Sequence, residues 1–160
     1  MICIDTMVLI WGVQGVAKPQ QSRMVDLTRR FLDSLGKHDT VMVPAVVLAE
    51  YLSGFENERD RLAQYDKIGA SFFVPAFDAP SASLAAEIAR SVTAQGVAAD
   101  WDRRLVKADI QIIATAVVHN ASVIVTHNVE EFQALAGGRI RVEDIPVIEV
   151  QENIFRDEED

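Results

Sequence analysis

Short apolar runs alternate along the chain with longer segments whose apolar residues recur every three or four positions. Met1–Asp5 is an apolar run ended by an acid, the pattern of a buried strand. A helical stretch follows from about Thr6 and is broken by Gly12, Gly15 and Pro19. Gln21–Leu35 places Met24, Val25, Leu27, Phe31, Leu32 and Leu35 at helical spacing and stops at Gly36. Thr40–Val43 reads as a second strand, and Pro44 opens a helix through Leu52 as a proline at the first helical position. Glu56–Ile68 is a charged amphipathic helix, Phe72–Val74 a third strand, and Pro80–Gln95 a helix ended by Gly96. Val97–Val106 reads as irregular, and Lys107–Asn120 as a strongly apolar helix. Ser122–Thr126 is a fourth strand, and Val129–Ala136 a short helix stopped by Gly137 and Gly138. Arg139–Val142 or Val147–Val150 supplies a last strand.

Strands separated by helices require crossover connections. The pattern therefore predicts an α/β fold in three layers, with a mostly parallel sheet of four to five strands covered by helices on both faces. Ligands in such sheets bind beyond the carboxyl ends of the strands. With 160 residues, no repeat and no linker, the chain fits one domain over residues 1–150. A chain of this size buries roughly 68–70% of its unfolded surface and needs no disulfide to fold.

Composition adds three constraints. The lone Cys3 sits in an apolar run, which makes it a small core residue, excludes a disulfide framework within one chain and favours a reducing compartment. No apolar run approaches the roughly 20 residues of a membrane helix. The N-terminus has neither a basic stretch nor a cleavage site, and Asp5 interrupts its apolar run, so a cytoplasmic protein is expected. The net charge of −9 argues at first against nucleic acid. Eight acids and one base lie between Glu143 and Asp160, so −7 of that charge is C-terminal and −2 belongs to the first 142 residues. Residues 151–160 form an acidic tail, read either as a solvated end or as an interaction segment.

Several polar residues stand where chemistry is expected. Asp5 ends the first strand, where it serves as a turn residue, a helix cap or a ligand. Glu50 has Val46 and Val47 as its i−4 and i−3 neighbours. A carboxylate on such a face is costly unless paired or bound to an ion. Asp109 shares its side of a helix with Ile112, Ile113 and Ala116. As a first-turn residue it also gains from the helix dipole. Thr126, His127 and Asn128 follow the fourth strand; Thr126 is suited to steady that turn, Asn128 to cap the next helix, and His127 to contact phosphate. If the three acids converge, like charges disfavour their ionised forms unless hard divalent cations such as Mg²⁺ or Mn²⁺ are bound. There is no Cys/His spacing for zinc.

Four segments containing these residues resemble PIN-domain ribonucleases, especially the VapC-type toxins of toxin–antitoxin pairs. They are Ile4-Asp5-Thr6-Met7-Val8-Leu9, the proline-led Val43–Tyr51 with its acid, Ala108–Ala116 with an Asp before an apolar helix, and Val125-Thr126-His127-Asn128 leading to Glu131-Phe132. Their order runs across about Met1–Ile148. The resemblance implies a PIN-like α/β/α nuclease domain in which Asp5, Glu50 and Asp109 hold Mg²⁺ or Mn²⁺, while Thr126 and Asn128 orient a ligand or a water. It further implies hydrolysis of RNA phosphodiester bonds to 5′-phosphate and 3′-hydroxyl ends. One departure is expected to weaken or remove a second ion. Asn128 stands where the family usually has a fourth acid, leaving three carboxylates unless Glu131 swings in. Arg103, Arg104 and Lys107 are candidate RNA contacts, with Trp101 either stacking on a base or lidding the core. A cognate antitoxin with Arg or Lys against the acids and a homodimer through the Pro44 and Pro80 helices are expected by analogy. A catalytically weak PIN-like binding module and a housekeeping RNA-processing nuclease are the alternatives. A haloacid-dehalogenase-like phosphatase is disfavoured because Met7 occupies its second acidic position, and no nucleotide-binding fingerprint is present.

Overall fold

A computed structural model describes residues 1–36, 38–97 and 100–148. Four parallel strands form one sheet in the order β2-β1-β3-β4. These are β1 (Ile2–Ile4), β2 (Val41–Met42), β3 (Val123–Val125) and β4 (Arg141–Glu143). β1 and β3 lie in the middle, are covered on both faces and are accordingly continuous apolar runs. β4, at an edge, buries Val142 and exposes Arg141 and Glu143, which pair at 3.1 Å. Only Phe73 of the expected third strand pairs, as a single parallel bridge to Met42. Pro75 follows two residues later and has no N–H to extend the ladder. Of the two expected last strands, the earlier forms, shifted to Arg141–Glu143. Val147 and Ile148 lie outside any strand, while residues 149 and 150 and the acidic tail fall outside the described residues.

The helices are α1 (Thr6–Leu9), α2 (Ser22–Ser34), α3 (Ala45–Ser53), α4 (Glu58–Ser71), α5 (Ala79–Ala94), α6 (Arg103–Val118) and α7 (Val129–Ala136). α1 does not break at Gly12. It continues as a wider π-type turn over Ile10–Gln14 and closes at Gly15, where φ is 76°. Gly12 serves a close approach: a Cβ there would lie 2.5 Å from Leu32 Cδ1 of α2. Pro44 occupies the cap of α3 in an extended conformation, one position before the helix proper. α6 begins at Arg103, four residues earlier than the apolar pattern predicts, because the Asp102 carboxylate accepts from Arg104 N at 2.8 Å and caps it. Asp109 is therefore the seventh helical residue, past the first turn in which the dipole alone would explain it.

Ile4, Val8, Leu9, Trp11, Met42, Val47, Tyr51, Ile112, Ile113, Ile124 and Phe132 fill a common core around the sheet. Cys3 lies wholly inside it, and burial followed by the nearby Asp5 charge pushes its thiol up, so it is inert as a nucleophile. Among the described residues, no helix is long and apolar enough to cross a membrane.

Candidate active site

Ile4 and Val125 are register partners in β1 and β3. The residues that follow them, Asp5 and Thr126, thus emerge side by side. The chain leaves β1 for β2 on one side of the sheet and returns as β3 on the other, so this is the point where the strand order reverses. Thr126 Oγ1 donates to Asp5 Oδ2 at 2.5 Å, and Val8 N donates to Asp5 Oδ1 at 3.0 Å, capping α1. Both residues are buried. Burial pushes the Asp5 carboxyl up; hydrogen bonds from Thr126, Val8 and Met7 oppose this, and the Glu50 charge adds to it. Thr126 Oγ1 also accepts from Asn128 N at 3.0 Å, which is the turn-steadying role expected of it.

Glu50 departs from its expected surroundings. α3 turns Val47, Leu48 and Tyr51 inward and leaves Glu50 exposed at the rim. Its Oε2 accepts from Thr6 Oγ1 at 2.5 Å. Asp109, on α6, is half-buried, and its carboxyl is pushed up to about 7. Burial is the largest cause, followed by the charges of Asp5, Glu131 and Glu50. The charges acting on Asp109 are all acidic. Asp5, Glu131 of α7 and Glu50 thus all act on Asp109, and Glu50 acts on Asp5.

Asn128 occupies the position before α7, but its side chain makes no bond to the helix backbone. Nδ2 donates instead to Glu131 Oε2 at 2.5 Å. His127 is exposed, stands 5.5 Å edge-on to the Trp11 ring and places Nδ1 3.2 Å from Asp144 Oδ1. Arg103 and Lys107 line a groove of about 810 Å³ between α5 and α6, beside Phe77, Val92 and Ile110, and none of the four clustered acids belongs to that lining. Arg104 is turned to Asp102 at 3.3 Å, and Trp101 packs partly buried against the core. The partners Thr6 and Asp144 had no local signal, because they lie 44 and 17 residues from the side chains they meet.

The donor set is made of carboxylate oxygens, which suits a hard divalent cation. Among the described residues, no three His, Cys, Asp or Glu side chains stand close enough together to hold an ion in this arrangement. Glu50 and Glu131 are drawn instead to Thr6 and Asn128. The chemistry of the donors fits such an ion.

The PIN domain family model matches residues 2–138. No curated protein matches the chain in sequence. Among solved structures, the chain is similar to one from VapBC2 of Rickettsia felis bound to a DNA fragment from their promoter. That pair is 20% identical with a TM-score of 0.67, covering 90% of this chain and 98% of the other. A chain of DNA-bound VapBC from Salmonella typhimurium is 21% identical with a TM-score of 0.64, covering 91% and 98%. One of VapBC-1 from nontypeable Haemophilus influenzae is 21% identical with a TM-score of 0.64, covering 90% and 98%. The family match spans most of the sequence, and the overall fold is shared with these chains over 98% of their length. The chain belongs to the PIN domain family.

Proposed function

We propose that this protein is a metal-dependent endoribonuclease that hydrolyses RNA phosphodiester bonds as the toxin of a toxin–antitoxin pair. The reading is supported by the PIN family match over residues 2–138 and by Asp109, whose carboxyl is raised by burial and then by the charges of Asp5, Glu131 and Glu50. Such an arrangement costs stability in isolation and gains its use when a cation arrives. Asp5, Glu50 and Asp109 are the residues that would hold Mg²⁺ or Mn²⁺. When bound, such an ion supplies an activated water and neutralises charge building on the phosphate.

The chain's own residues perform the rest. Val8 N and Thr126 Oγ1 fix the Asp5 carboxylate, so that its position is set before substrate enters. Thr6 holds Glu50 at the open rim, where it is free to turn inward. Asn128 and Thr126 orient a water or a phosphate oxygen at the strand end. Arg103, Arg104 and Lys107 supply positive charge for an RNA backbone, and a single-stranded or looped segment is the substrate whose bases are free to splay. Products carry a 5′-phosphate and a 3′-hydroxyl. The similarity to chains of VapBC complexes supports an antitoxin partner. By family analogy that partner sets Arg or Lys against the acids, and the protein works as a homodimer in the cytoplasm.

The test is cleavage of labelled RNAs of several structures with Mg²⁺, Mn²⁺ or chelator, by wild type and Asp109→Ala. Metal-dependent cutting that the variant loses is the expected result. Folded, antitoxin-free protein that cuts no RNA with either metal would refute the nuclease reading and favour a binding module.

A further inference from the structure

We propose that His127 is the residue by which this protein reads ribose: its Nε2 accepts a hydrogen bond from a 2′-hydroxyl of the bound strand and so favours RNA over DNA. This rests on the ribonuclease reading and concerns a contact outside the carboxylates. Asp5, Thr126 and Asp144 directly follow the neighbouring strands β1, β3 and β4. Thr126 N donates to Glu143 O at 3.0 Å, which joins the last two strand ends. His127 and Asp144 therefore stand on the β4 side of Asp5, at the carboxyl-end surface where ligands of such sheets bind.

The imidazole is exposed, yet core residues orient it. Nδ1 lies 3.2 Å from Asp144 Oδ1, and that oxygen also accepts from Ile145 N at 2.8 Å. The ring meets Trp11 edge-on at 5.5 Å. Ile145 and Trp11 are both buried, so the pair is fixed from beneath. A carboxylate only accepts, so Nδ1 carries the proton of the neutral ring and Nε2 is left with a lone pair. Phosphate oxygens are acceptors too and give that lone pair nothing. The 2′-hydroxyl has a proton to give, and it stands on every nucleotide of RNA and on none of DNA. Hydrolysis to a 3′-hydroxyl end uses water as the nucleophile, not the 2′-hydroxyl. The chemistry alone therefore does not reject DNA, and a contact to ribose is what does.

The experiment compares kcat/KM of full-length, antitoxin-free protein with Mn²⁺ on one RNA, either all-ribose or carrying a single 2′-fluoro group at each position in turn. Fluorine keeps the ribose pucker and has no proton to donate. For wild type, fluorine at one position near the cut should slow cleavage about three- to tenfold, the span of one ordinary hydrogen bond. His127→Phe keeps a flat ring without an acceptor. It should slow the all-ribose RNA by the same factor and be indifferent to fluorine at that position. Asp144→Asn has an amide able to donate to Nδ1, which frees the other tautomer, and should reproduce the loss. If His127→Phe stays as sensitive to that fluorine as wild type, or cuts all-ribose RNA at the wild-type rate, the ribose contact is overturned. A loss that is the same at every fluorine position and comes with a shallower salt dependence would assign His127 to a phosphate. That result too overturns the ribose contact and leaves the nuclease reading standing. Wild type that cuts no RNA with metal removes the nuclease reading and this inference with it.

Discussion

Asp5, Asp78 and Asp102 each precede a helix, and each accepts a hydrogen bond from a backbone N–H two or three residues on. At the outer helices α5 and α6 this does what capping does elsewhere. Hydrogen bonds from Ser81 hold the Asp78 carboxyl below the usual carboxylate range, and those from Arg104 do the same for Asp102. At the strand ends the same bond is overridden. Asp5 is buried against Thr126 with Glu50 nearby, and its carboxyl is raised, as is that of Asp109 across the site. One residue type in one local geometry thus stabilises two helices and burdens a third location. Environment decides the sign, and a region that concentrates acids against its own stability is where a functional demand is to be sought.

The largest expected contrast between these regions lies in catalysis. Asp109→Asn keeps the size of the side chain and removes its charge, so RNA cleavage should fall by at least about a hundredfold, in keeping with the several kcal/mol such charge stabilisation supplies. Asp78→Asn should leave the rate unchanged. Equal losses in the two variants, measured as initial rates on one RNA at saturating Mn²⁺, would erase the distinction between a capping acid and a site acid.

Stability should move the other way. Burial and the neighbouring acids push the Asp109 carboxyl up to about 7 in the fold, from an ordinary 3.8. A group raised on folding contributes stability that is complete below the unfolded value and is lost as pH rises through the folded one. Metal-free wild type should therefore lose stability between about pH 4 and pH 8, by an amount on the order of 2–4 kcal/mol. Asp109→Asn should lack most of that slope and melt above wild type at pH 8 in chelator. Excess Mn²⁺ should close the gap by stabilising wild type alone. Melting curves of the two proteins at pH 5 and pH 8 test this, and a wild type that is the more stable at pH 8 without metal would contradict it.

The two regions also differ in how far the sequence reveals them. β1 and β3 are plain in the chain because a strand buried on both faces has no polar alternation to hide it. Phe72–Val74 imitates such a strand over three residues, and Pro75 stops its pairing after one. The start of α6 is set by Asp102, a polar residue outside the apolar pattern, so periodicity alone places it late. Asp5, Glu50 and Asp109 stand out as acids at strand ends or in apolar segments. What their partners are cannot be read locally. Thr126 reaches Asp5 across 121 residues and Thr6 reaches Glu50 across 44. Glu50 misleads most: its apolar i−4 and i−3 neighbours suggest burial, yet the helix ends one turn later at the rim. Asn128 has the composition of a cap, and only the fold shows its side chain spent on Glu131.

The smallest effect belongs to the outer caps, and it carries the opposite pH signature. Asp78→Ala removes the bond to Ser81 N at 2.9 Å, and loss of a capping side chain should lower Tm by about 2–4 °C in a chain of this length. The Asp78 carboxyl is lowered by folding, so its contribution is present above the unfolded value and disappears as pH falls through the folded one. The Tm difference between wild type and Asp78→Ala should hold steady from pH 8 down to about pH 5 and shrink on further acidification. A difference that instead grows toward pH 8, as expected for the site acids, would mean that Asp78 senses the same excess of negative charge and that the two regions are one electrostatic unit.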